Sequence, residues 1–320
     1  MTLATSLYEI QRQVFRIGGP VLIAIGSVSC LLNIFILTKD TLRKNPCTIC
    51  LIAVNIINFS YFYLGLLPTT LAVGYNIDPS TTSLAFCRFR YYAAFILACW
   101  QASCLILASV DRTLITSGNA RTRKRSTSRS VKVSMIFLGI FWLLAESHAL
   151  IFTDIVEFGY NYFVCFYRPG LYTTIMTYHS FIIMGFTPTL LMAIFALWTV
   201  KNIRSIRLRR RRPVQDAPIA TLGMITIQRP LALRSKDRQL IRILLIDILA
   251  YIICKFPSAI ALLYLQVTSN YNKSADEQVI QQSILQMSFF WYFIDNGIGF
   301  YKNILVADTF RKELKRILFS

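Results

Sequence analysis

Residues 84–116 read LAFCRFRYYAAFILACWQASCLILASVDRTLIT, and the 20 positions from Tyr91 to Val110 carry no charged side chain. A helix needs about 20 mostly apolar residues to cross the hydrocarbon core of a bilayer. Cys87 stands on one side of this apolar run, and Asp111 and Arg112 stand on the other. The segment therefore predicts a membrane-spanning helix with distinctive residues at both ends.

Six further stretches are long and apolar enough to span a bilayer. The chain has 320 residues, of which 55% are hydrophobic and 15% charged, whereas soluble domains carry about 25% charged residues. The first span is too long for the apolar core of a signal peptide. We therefore expect an all-α membrane protein, a seven-transmembrane helix bundle, with no soluble catalytic domain beside it. The predicted spans are residues 18–38, 47–73, 84–116, 132–153, 171–200, 236–266 and 281–305.

The basic residues are distributed unevenly between the two sides of these spans. With the amino terminus outside, 27 of the 34 Lys and Arg residues fall on the inner side, six on the outer side, and Lys255 within a span. Short loops rich in Lys and Arg stay in the cytoplasm, so we expect a multi-pass plasma-membrane protein with an extracellular amino terminus. This topology, with attraction to anionic lipid, accounts for the net charge of +19. We therefore expect the lipid bilayer, and not nucleic acid, as a partner.

The spans divide the chain into three parts. Residues 1–17 form a short extracellular amino terminus, residues 18–305 the seven-span domain, and residues 306–320 a carboxyl-terminal segment. Within the domain, the third inner loop, about 201–237, contains a run of four arginines and three prolines and cannot build a core. In a helix, residues 308–319 would place apolar side chains along one side and basic side chains along the other. This pattern predicts a short amphipathic eighth helix on the membrane surface.

Cysteine positions point to one outer pair. Of the eight cysteines, only Cys87 and Cys165 fall on the outer side, where disulfides persist. A bond between them can tie the top of the third span to the loop between the fourth and fifth spans. Two free thiols are the alternative.

Metal and sugar sites have little support in the sequence. His148 and His179 are the only histidines, and neither has Cys or His partners at the spacing of a zinc site, so no metal is expected. Asn272-Lys273-Ser274 matches the glycosylation pattern in the outer loop between the sixth and seventh spans. Its closeness to the membrane leaves glycosylation open.

The order and spacing of individual residues resemble the rhodopsin-like family of G-protein-coupled receptors. Cys87 precedes Asp111-Arg112-Thr113 by 24 residues, as in the family's third helix, with Thr113 in place of tyrosine. The resemblance covers essentially the whole chain. It implies a receptor without a cofactor that binds an extracellular peptide or chemosensory small molecule and activates a heterotrimeric G protein. Other residues that match family positions are Asn33, Trp142, Pro188, Pro257 and Tyr301.

Three departures from the family pattern lie in the middle of the spans. Asn55 stands where the family usually has an aspartate, and a neutral amide cannot hold a sodium ion as a carboxylate would. Lys255 replaces the usual tryptophan of helix six, and the NPxxY motif is replaced by residues 295–301, DNGIGFY, without its proline. The chain thus resembles a divergent branch, such as the large invertebrate sets of orphan or chemosensory receptors.

The resemblance implies a switch at the inner end of the bundle. Arg112, beside Asp111, lies where the family keeps its switch arginine, and Asp237 lies at the position of its acidic partner on helix six. The hypothesis is that an Arg112–Asp237 pair holds helices three and six together at rest, with Tyr301 as the switch residue of helix seven. The alternative is that Arg112 is one more basic inner residue and that Asp237 is a solvated acid.

A second group of polar residues lies inside the spans. Charged side chains within a membrane are costly and mark functional sites by default. We predict that Lys255 and Asp295 pair beneath the ligand pocket within a polar network. A purely structural pair is the alternative, and Asp247 and Glu146 have no predicted partner. The other members of the network are Asn33, Asn55 and Asn296.

The ligand is the least defined part of the prediction. Ala94 stands where amine receptors carry an aspartate, and Trp291 stands where light receptors hold retinal on a lysine, so neither ligand class is expected. Residues 158–167 predict a strand or hairpin over the ligand mouth, and a collapsed aromatic lid is the alternative. Candidate pocket residues, which are alternatively anchors at the membrane interface, are Tyr91, Trp100, Gln101, His179, Gln286 and Tyr292.

Two other protein classes compete with a receptor. A transporter or channel without G-protein coupling usually shows internal repeats and paired broken helices, and the sequence contains neither. An enzyme embedded in the membrane would need a catalytic signature in a span, and none is present. The sequence therefore favours a receptor that is not an enzyme.

Overall fold

The computed structural model describes residues 3–39, 42–43, 45–159, 162–211, 235–268, 271 and 273–318. Seven long helices within these ranges form a bundle, and a shorter helix follows the seventh, so the predicted fold class is confirmed. Described in order, the seven helices are Leu3–Leu37, Pro46–Tyr75, Leu84–Thr116, Ser128–Phe152, Leu171–Arg211, Ser235–Val267 and Ala275–Val306. The eighth helix is Asp308–Leu318.

Several of the helices are interrupted by wider or tighter turns. The first, second and fifth contain π-helical turns at Val14–Gly18, Phe62–Leu66 and Ser180–Phe186. The fourth passes through a 3-10 turn at Glu146–His148. The seventh breaks at Ile298, between Ala275–Gly297 and Gly299–Val306. Such departures from α-helical hydrogen bonding turn the side chains beyond them toward a new direction.

Polar residues define the helix ends. Asn45, Ser83 and Thr127 cap the second, third and fourth helices through their side chains, and Ser274 with Glu277 forms a capping box at the seventh. These caps satisfy amide groups that have no partner within the helix.

The seventh helix is the exception to the apolar pattern. Among the described residues, the other six long helices are apolar enough to cross a membrane by length and composition. The seventh carries four glutamines, at positions 278, 281, 282 and 286. It packs between the first and sixth helices, which cover much of its surface. The chain is therefore a multi-pass membrane protein whose seventh span is recognised by its packing.

The first helix begins earlier than hydropathy predicts. It starts at Leu3 and continues through Val14–Gly18, so the segment expected as an amino-terminal tail is helical. The polar residues of 3–13 lowered its hydropathy, but Phe15 is fully buried and packs edge-on against Phe290 at 5.3 Å. Contact with the seventh helix therefore extends the first helix.

The third helix is the centre of the bundle. It contacts the second, fourth, fifth and sixth helices, and almost half of its length is buried. The fourth helix lies at the edge, where only Val131 and Gly139 of Ser128–Ala145 are buried. Its many exposed apolar side chains fit a surface that faces lipid.

A β-hairpin lies on the outer side, between the fourth and fifth helices. Strand β1, Thr153–Gly159, pairs antiparallel with β2, Tyr162–Tyr167, with Ile155 opposite Cys165. Cys165 forms a disulfide with Cys87, with their Cα atoms 5.7 Å apart. The predicted disulfide is confirmed, and it fixes the hairpin to the start of the third helix.

Candidate functional site

A buried lysine lies in the middle of the bundle. Lys255, on the sixth helix, is 2% exposed. Its Nζ donates a hydrogen bond to Gln101 Oε1 and lies 3.8 Å from Asp295 Oδ2. The rings of Tyr251 and Tyr292 contact the same ammonium group, at 4.9 and 4.4 Å from their centroids. These contacts compensate a charge that is costly to bury in a membrane.

Gln101 connects this lysine to the other helices. Its Nε2 donates to Asn58 Oδ1 and, at 3.0 Å, to Asn296 Oδ1. Both amide hydrogens and one oxygen lone pair are therefore used, and the residue is 2% exposed. The side chain is thus enclosed and hydrogen-bonded within the core, and a contact of Gln101 with a ligand stays a prediction.

A second lysine completes the charge arrangement. Lys302 Nζ lies 2.9 Å from Asp295 Oδ1 and 3.0 Å from Asp247 Oδ1. The sequence grouped Lys302 with the basic inner loops, but the structure turns it inward beyond the break at Ile298. Its spacing of seven residues from Asp295 places both on one helix face, which was the available signal. We call these residues the polar column: Asn58, Gln101, Asp247, Lys255, Asp295, Asn296 and Lys302.

Three asparagines form a neutral extension of the polar column. Asn33 Nδ2 donates to Asn55 Oδ1 at 2.9 Å, and Asn303 Nδ2 donates to Asn33 Oδ1 at 3.0 Å. Asn55 Nδ2 donates to the backbone oxygen of Leu51. A side chain at Gly299 would place its Cβ 3.1 Å from Asn33 Nδ2, so the glycine permits this close approach. Asn55 is thus held in this hydrogen-bond network as a neutral amide, with no carboxylate at its position.

A small cavity lies beside these groups. About 30 Å³ of it can hold the centres of water molecules, which is enough for about two ordered waters. Lys302 already neutralises carboxylate charge here, because it contacts both Asp247 and Asp295. Lys255 lies 3.8 Å from Asp295, so two ammonium groups face the two carboxylates of the site among the described residues, and this balance disfavours a metal cation. Its lining is Asn33, Leu51, Val54, Asn55, Asn58, Gln101, Leu105, Asp247, Asp295, Gly299, Lys302 and Asn303.

The inner end of the third helix holds a second polar cluster. Arg112 is 0% exposed. Its Nη2 donates to Asp111 Oδ2 at 2.6 Å and to Asn45 Oδ1 at 2.5 Å. Asp111 Oδ1 accepts from Ser126 Oγ. We call Asn45, Asp111, Arg112 and Ser126 the inner clasp, because they join the third helix to the second helix and to the loop before the fourth.

The other predicted switch residues are distributed around this end. The backbone of the sixth helix includes Asp237, but its side chain lies outside the described residues, so its pairing with Arg112 stays a prediction. Thr113 Oγ1 lies 3.0 Å from Thr199 Oγ1 and ties the third helix to the fifth. Tyr301 is 41% exposed and packs edge-on against Phe300.

The landmark residues of the remaining helices lie as follows. Trp142 Nε1 donates to Ser103 Oγ at 2.9 Å and joins the fourth helix to the third. Pro188 follows the π-helical turn of the fifth helix, and Pro257 lies inside the sixth. Asn272 lies outside the described residues.

Glu146 has partners that the sequence did not predict. It is fully buried in the 3-10 turn of the fourth helix. His179 Nε2 lies 3.3 Å from one of its oxygens, and His148 Nε2 lies 3.6 Å from the other. Cys99 Sγ contacts it from the third helix. His179 therefore belongs to an outer polar cluster, and among the described residues no group of three or more His, Cys, Asp or Glu is arranged to hold a metal ion.

Aromatic rings fill the space beneath the hairpin. Tyr91 donates from its hydroxyl to the backbone oxygen of Cys165 at 3.2 Å, and its ring lies 5.2 Å from that of Tyr167. Phe95 and Tyr172 also contact Tyr167. Burial raises the pKa of Tyr167 well above its usual range. The structure thus contains both predicted alternatives, a β-hairpin and a lid of packed aromatic rings.

The remaining pocket candidates differ in their surroundings. Ala94 and Gln286 are half-buried on the third and seventh helices. Trp291 is 47% exposed, and its Nε1 donates to the backbone oxygen of Ile253. Its ring is therefore partly exposed beside the sixth helix, as an anchor would be, and a contact with a ligand stays a prediction.

Comparison with known families identifies the chain. The model of the seven-transmembrane receptor (rhodopsin family) matches residues 30–295, which include Arg112, both cysteines of the disulfide, and the polar column except Asn296 and Lys302. No curated protein sequence matches the chain significantly. Because the match covers most of the sequence and the helix bundle agrees with it, the chain belongs to the rhodopsin family of seven-transmembrane receptors.

Proposed function

We propose that the protein is a G-protein-coupled receptor of the plasma membrane with an extracellular amino terminus. Binding of a short peptide or chemosensory small molecule on the outer side changes the arrangement of the helices. The changed inner face then activates a heterotrimeric G protein. Membership of the rhodopsin family and the basic inner loops support this direction of signalling.

The inner clasp is the observation that carries the proposal. A guanidinium at the end of a spanning helix usually reaches water or an anionic headgroup, but Arg112 is completely enclosed. It is bound by Asp111 of its own helix and by Asn45 of the second helix. This is the arrangement expected of a resting state in which Arg112 is withheld from a G protein.

Activation then requires the sixth helix to move away from the third at the inner end. In this proposal Asp237 is a further partner of Arg112 that the movement separates. Phe300, whose backbone N–H donates to Ser29 Oγ, links the neighbouring Tyr301 to the first helix. We assign Tyr301 to the part of the switch that follows the seventh helix.

The polar column transmits the movement between the two sides. Lys255 and Asp247 of the sixth helix contact Gln101, Asp295 and Lys302, so the sixth helix cannot shift without breaking or exchanging these pairs. Two discrete pairings of the same charges would give two discrete receptor states.

The outer end supplies two kinds of surface for a ligand. Tyr91, Tyr167 and Tyr172 form an aromatic wall beneath the hairpin. His148 and His179, which lie beside the buried Glu146, supply polar atoms between the third, fourth and fifth helices. A small ligand or peptide side chain with an apolar body and a polar end fits this combination.

Nucleotide exchange on membranes tests the proposal. Membranes containing the receptor and purified heterotrimeric G proteins are screened against a neuropeptide library and a panel of small chemosensory compounds. The proposal expects at least one compound to accelerate exchange, and Arg112→Ala to abolish the acceleration. Compound-dependent ion flux without exchange would contradict it.

A further inference from the structure

A serine of the second inner loop contacts the inner clasp directly. Ser126 lies between the short helix Ala120–Lys124 and the fourth helix, and its Oγ donates to Asp111 Oδ1. The other oxygen of Asp111 accepts from Arg112 at 2.6 Å. One carboxylate therefore joins Ser126 to the arginine, and a change at the hydroxyl acts on the whole clasp.

The residues before Ser126 are almost all basic. Positions 121–125 read RTRKR, and Arg121, Lys124 and Arg125 are exposed. Arg123 is half-buried, and its Nη1 donates to the backbone oxygens of Ser117 and Gly118. A protein kinase with an acidic substrate groove recognises such a segment by charge complementarity.

The segment before Ser126 is also able to leave its present conformation. The helix Ala120–Lys124 has five residues, none of them buried, and a helix of this length is unstable without tertiary contacts. Ser126 itself is half-buried on the inner side. Unwinding this one turn would extend the basic residues and present the hydroxyl to a kinase.

We propose that Ser126 is phosphorylated by a protein kinase selective for basic segments, and that the phosphate opens the inner clasp. The second part rests on the function proposed above. In the transfer, Ser126 Oγ forms a bond to the γ-phosphorus of Mg-ATP, and the bond between that phosphorus and the bridging oxygen of ADP breaks. The hydroxyl proton passes to a carboxylate base of the kinase.

The phosphate acts on the clasp through its charge. It carries about −1.5 to −2 charges at pH 7 and three acceptor oxygens. The ester oxygen has lost the hydroxyl proton that Ser126 donated to Asp111, and the phosphate charge repels that carboxylate. It also competes for Arg112, because guanidinium groups bind phosphate through paired hydrogen bonds. The resting arrangement of Asp111 and Arg112 is therefore destabilised.

The test uses the full-length receptor in lipid nanodiscs. It is treated with Mg-ATP and the catalytic domain of a kinase selective for basic segments. Mass spectrometry measures phosphate at each residue, and ligand-independent nucleotide exchange is measured with the same sample. We expect phosphate on Ser126 and a five- to tenfold increase in exchange. In Ser126→Ala the kinase treatment produces neither change, whereas both persist in the matched variant Ser130→Ala.

A variant of the basic segment tests recognition. Arg121→Gln combined with Arg125→Gln is expected to slow phosphorylation of Ser126 at least tenfold. Phosphate on Thr127, Ser128 or Ser130 but not on Ser126 would overturn the inference, as would an equal rate in the double variant.

The two proposals fail in different ways. If Ser126 is phosphorylated and exchange is unchanged, while Asp111→Asn raises exchange in the same assay, the opening of the clasp by phosphate is overturned and the proposed function stands. If Asp111→Asn also leaves nucleotide exchange unchanged, the proposed function of the inner clasp fails. Detection of phosphate on Ser126 by mass spectrometry still decides whether the modification site is correct.

Discussion

In the middle of the bundle, the polar column joins the second, third, sixth and seventh helices, and its charges are two lysines and two carboxylates. At the inner end, the described contacts of Arg112 join the third helix to the second. The column thus binds the helix that must move in the proposed mechanism, whereas the clasp holds the residue that must be released.

This difference predicts different consequences of mutation. A buried ion pair that loses one partner leaves an uncompensated charge, so changes in the polar column are expected to act first on folding. The inner clasp lies at the end of the bundle, which the proposed orientation places beside the cytoplasm, and water can replace a lost partner there once the site opens. Changes there are expected to act first on signalling.

The largest expected effect is that of Asp295→Asn. Asp295 accepts from Lys302 and lies next to Lys255, so its neutralisation leaves two buried ammonium groups short of a counter-charge. The loss is about 3–5 kcal/mol, and most of the receptor should fail to fold. Yield of monodisperse protein measures this, and Asp276→Asn, in the exposed first turn of the same helix, is the matched control. Wild-type yield would contradict the role given to Asp295.

Exchanging the charges of Lys255 and Asp295 tests whether the two residues form a simple ion pair or depend on the rest of the polar column. In the double variant Lys255→Asp with Asp295→Lys, the new ammonium would stand beside Lys302, which now lies 2.9 Å from Asp295. We therefore expect the exchange not to restore folding, in contrast to an isolated pair. Surface expression and ligand response measure the outcome, and recovery of both would show that Lys255 and Asp295 form a separate structural pair.

Asp247→Asn should be milder than Asp295→Asn. Lys302 keeps its contact with Asp295 when Asp247 is neutralised, and a neutral amide still accepts a hydrogen bond. A loss of about 1.5–3 kcal/mol is expected, seen as a lower melting temperature with folded protein retained. An effect as large as that of Asp295→Asn would show that the two carboxylates contribute equally.

At the inner clasp, Asn45→Ser should affect signalling more than stability. Serine keeps the helix cap that Asn45 now provides to the Cys47 amide, but it is too short to keep the contact with Arg112. Ligand-independent nucleotide exchange is expected to rise about threefold. A tenfold change would correspond to roughly 1.4 kcal/mol, so the expected change in free energy is smaller than that.

Asp237→Ala should also raise ligand-independent nucleotide exchange. Unchanged basal exchange in Asp237→Ala would remove Asp237 from the proposed switch.

The smallest expected effect concerns sodium. Because Asn55 is neutral and the cavity charges are paired, the melting temperature should be equal in sodium and potassium chloride. Asn55→Asp adds a carboxylate beside Asn33, and this variant should gain stability in sodium relative to potassium. A sodium effect in the wild-type receptor would contradict the charge balance assigned to the polar column.

The sequence predicted features that depend on one helix at a time. Hydropathy located the spans, the position of charged loops gave an orientation, and the outer location of Cys87 and Cys165 indicated their bond. The sequence could not give contacts that depend on helix rotation. Lys302 points inward on the segment after Ile298 and pairs with Asp247 of the sixth helix, and Glu146, in the 3-10 turn of the fourth helix, lies beside His148 and His179.

The sequence also could not give the tertiary contacts of polar residues. Gln101 has the polarity of a ligand contact, but its amide is consumed by three neighbours in the core. The first 17 residues are polar enough to resemble a tail, yet residues 3–17 are helical and Phe15 packs against Phe290 of the seventh helix. In both cases a tertiary contact overrides the local pattern.

Nucleotide exchange by Asp111→Asn tests the central claim most directly. The receptor and its variant are compared in lipid bilayers with purified G protein and no ligand. Neutralising Asp111 weakens its contacts with Arg112 and Ser126, so the variant should exchange nucleotide several times faster than the wild type at equal receptor density. Equal rates, with both proteins folded and coupled to the same G protein, would contradict the role of the inner clasp.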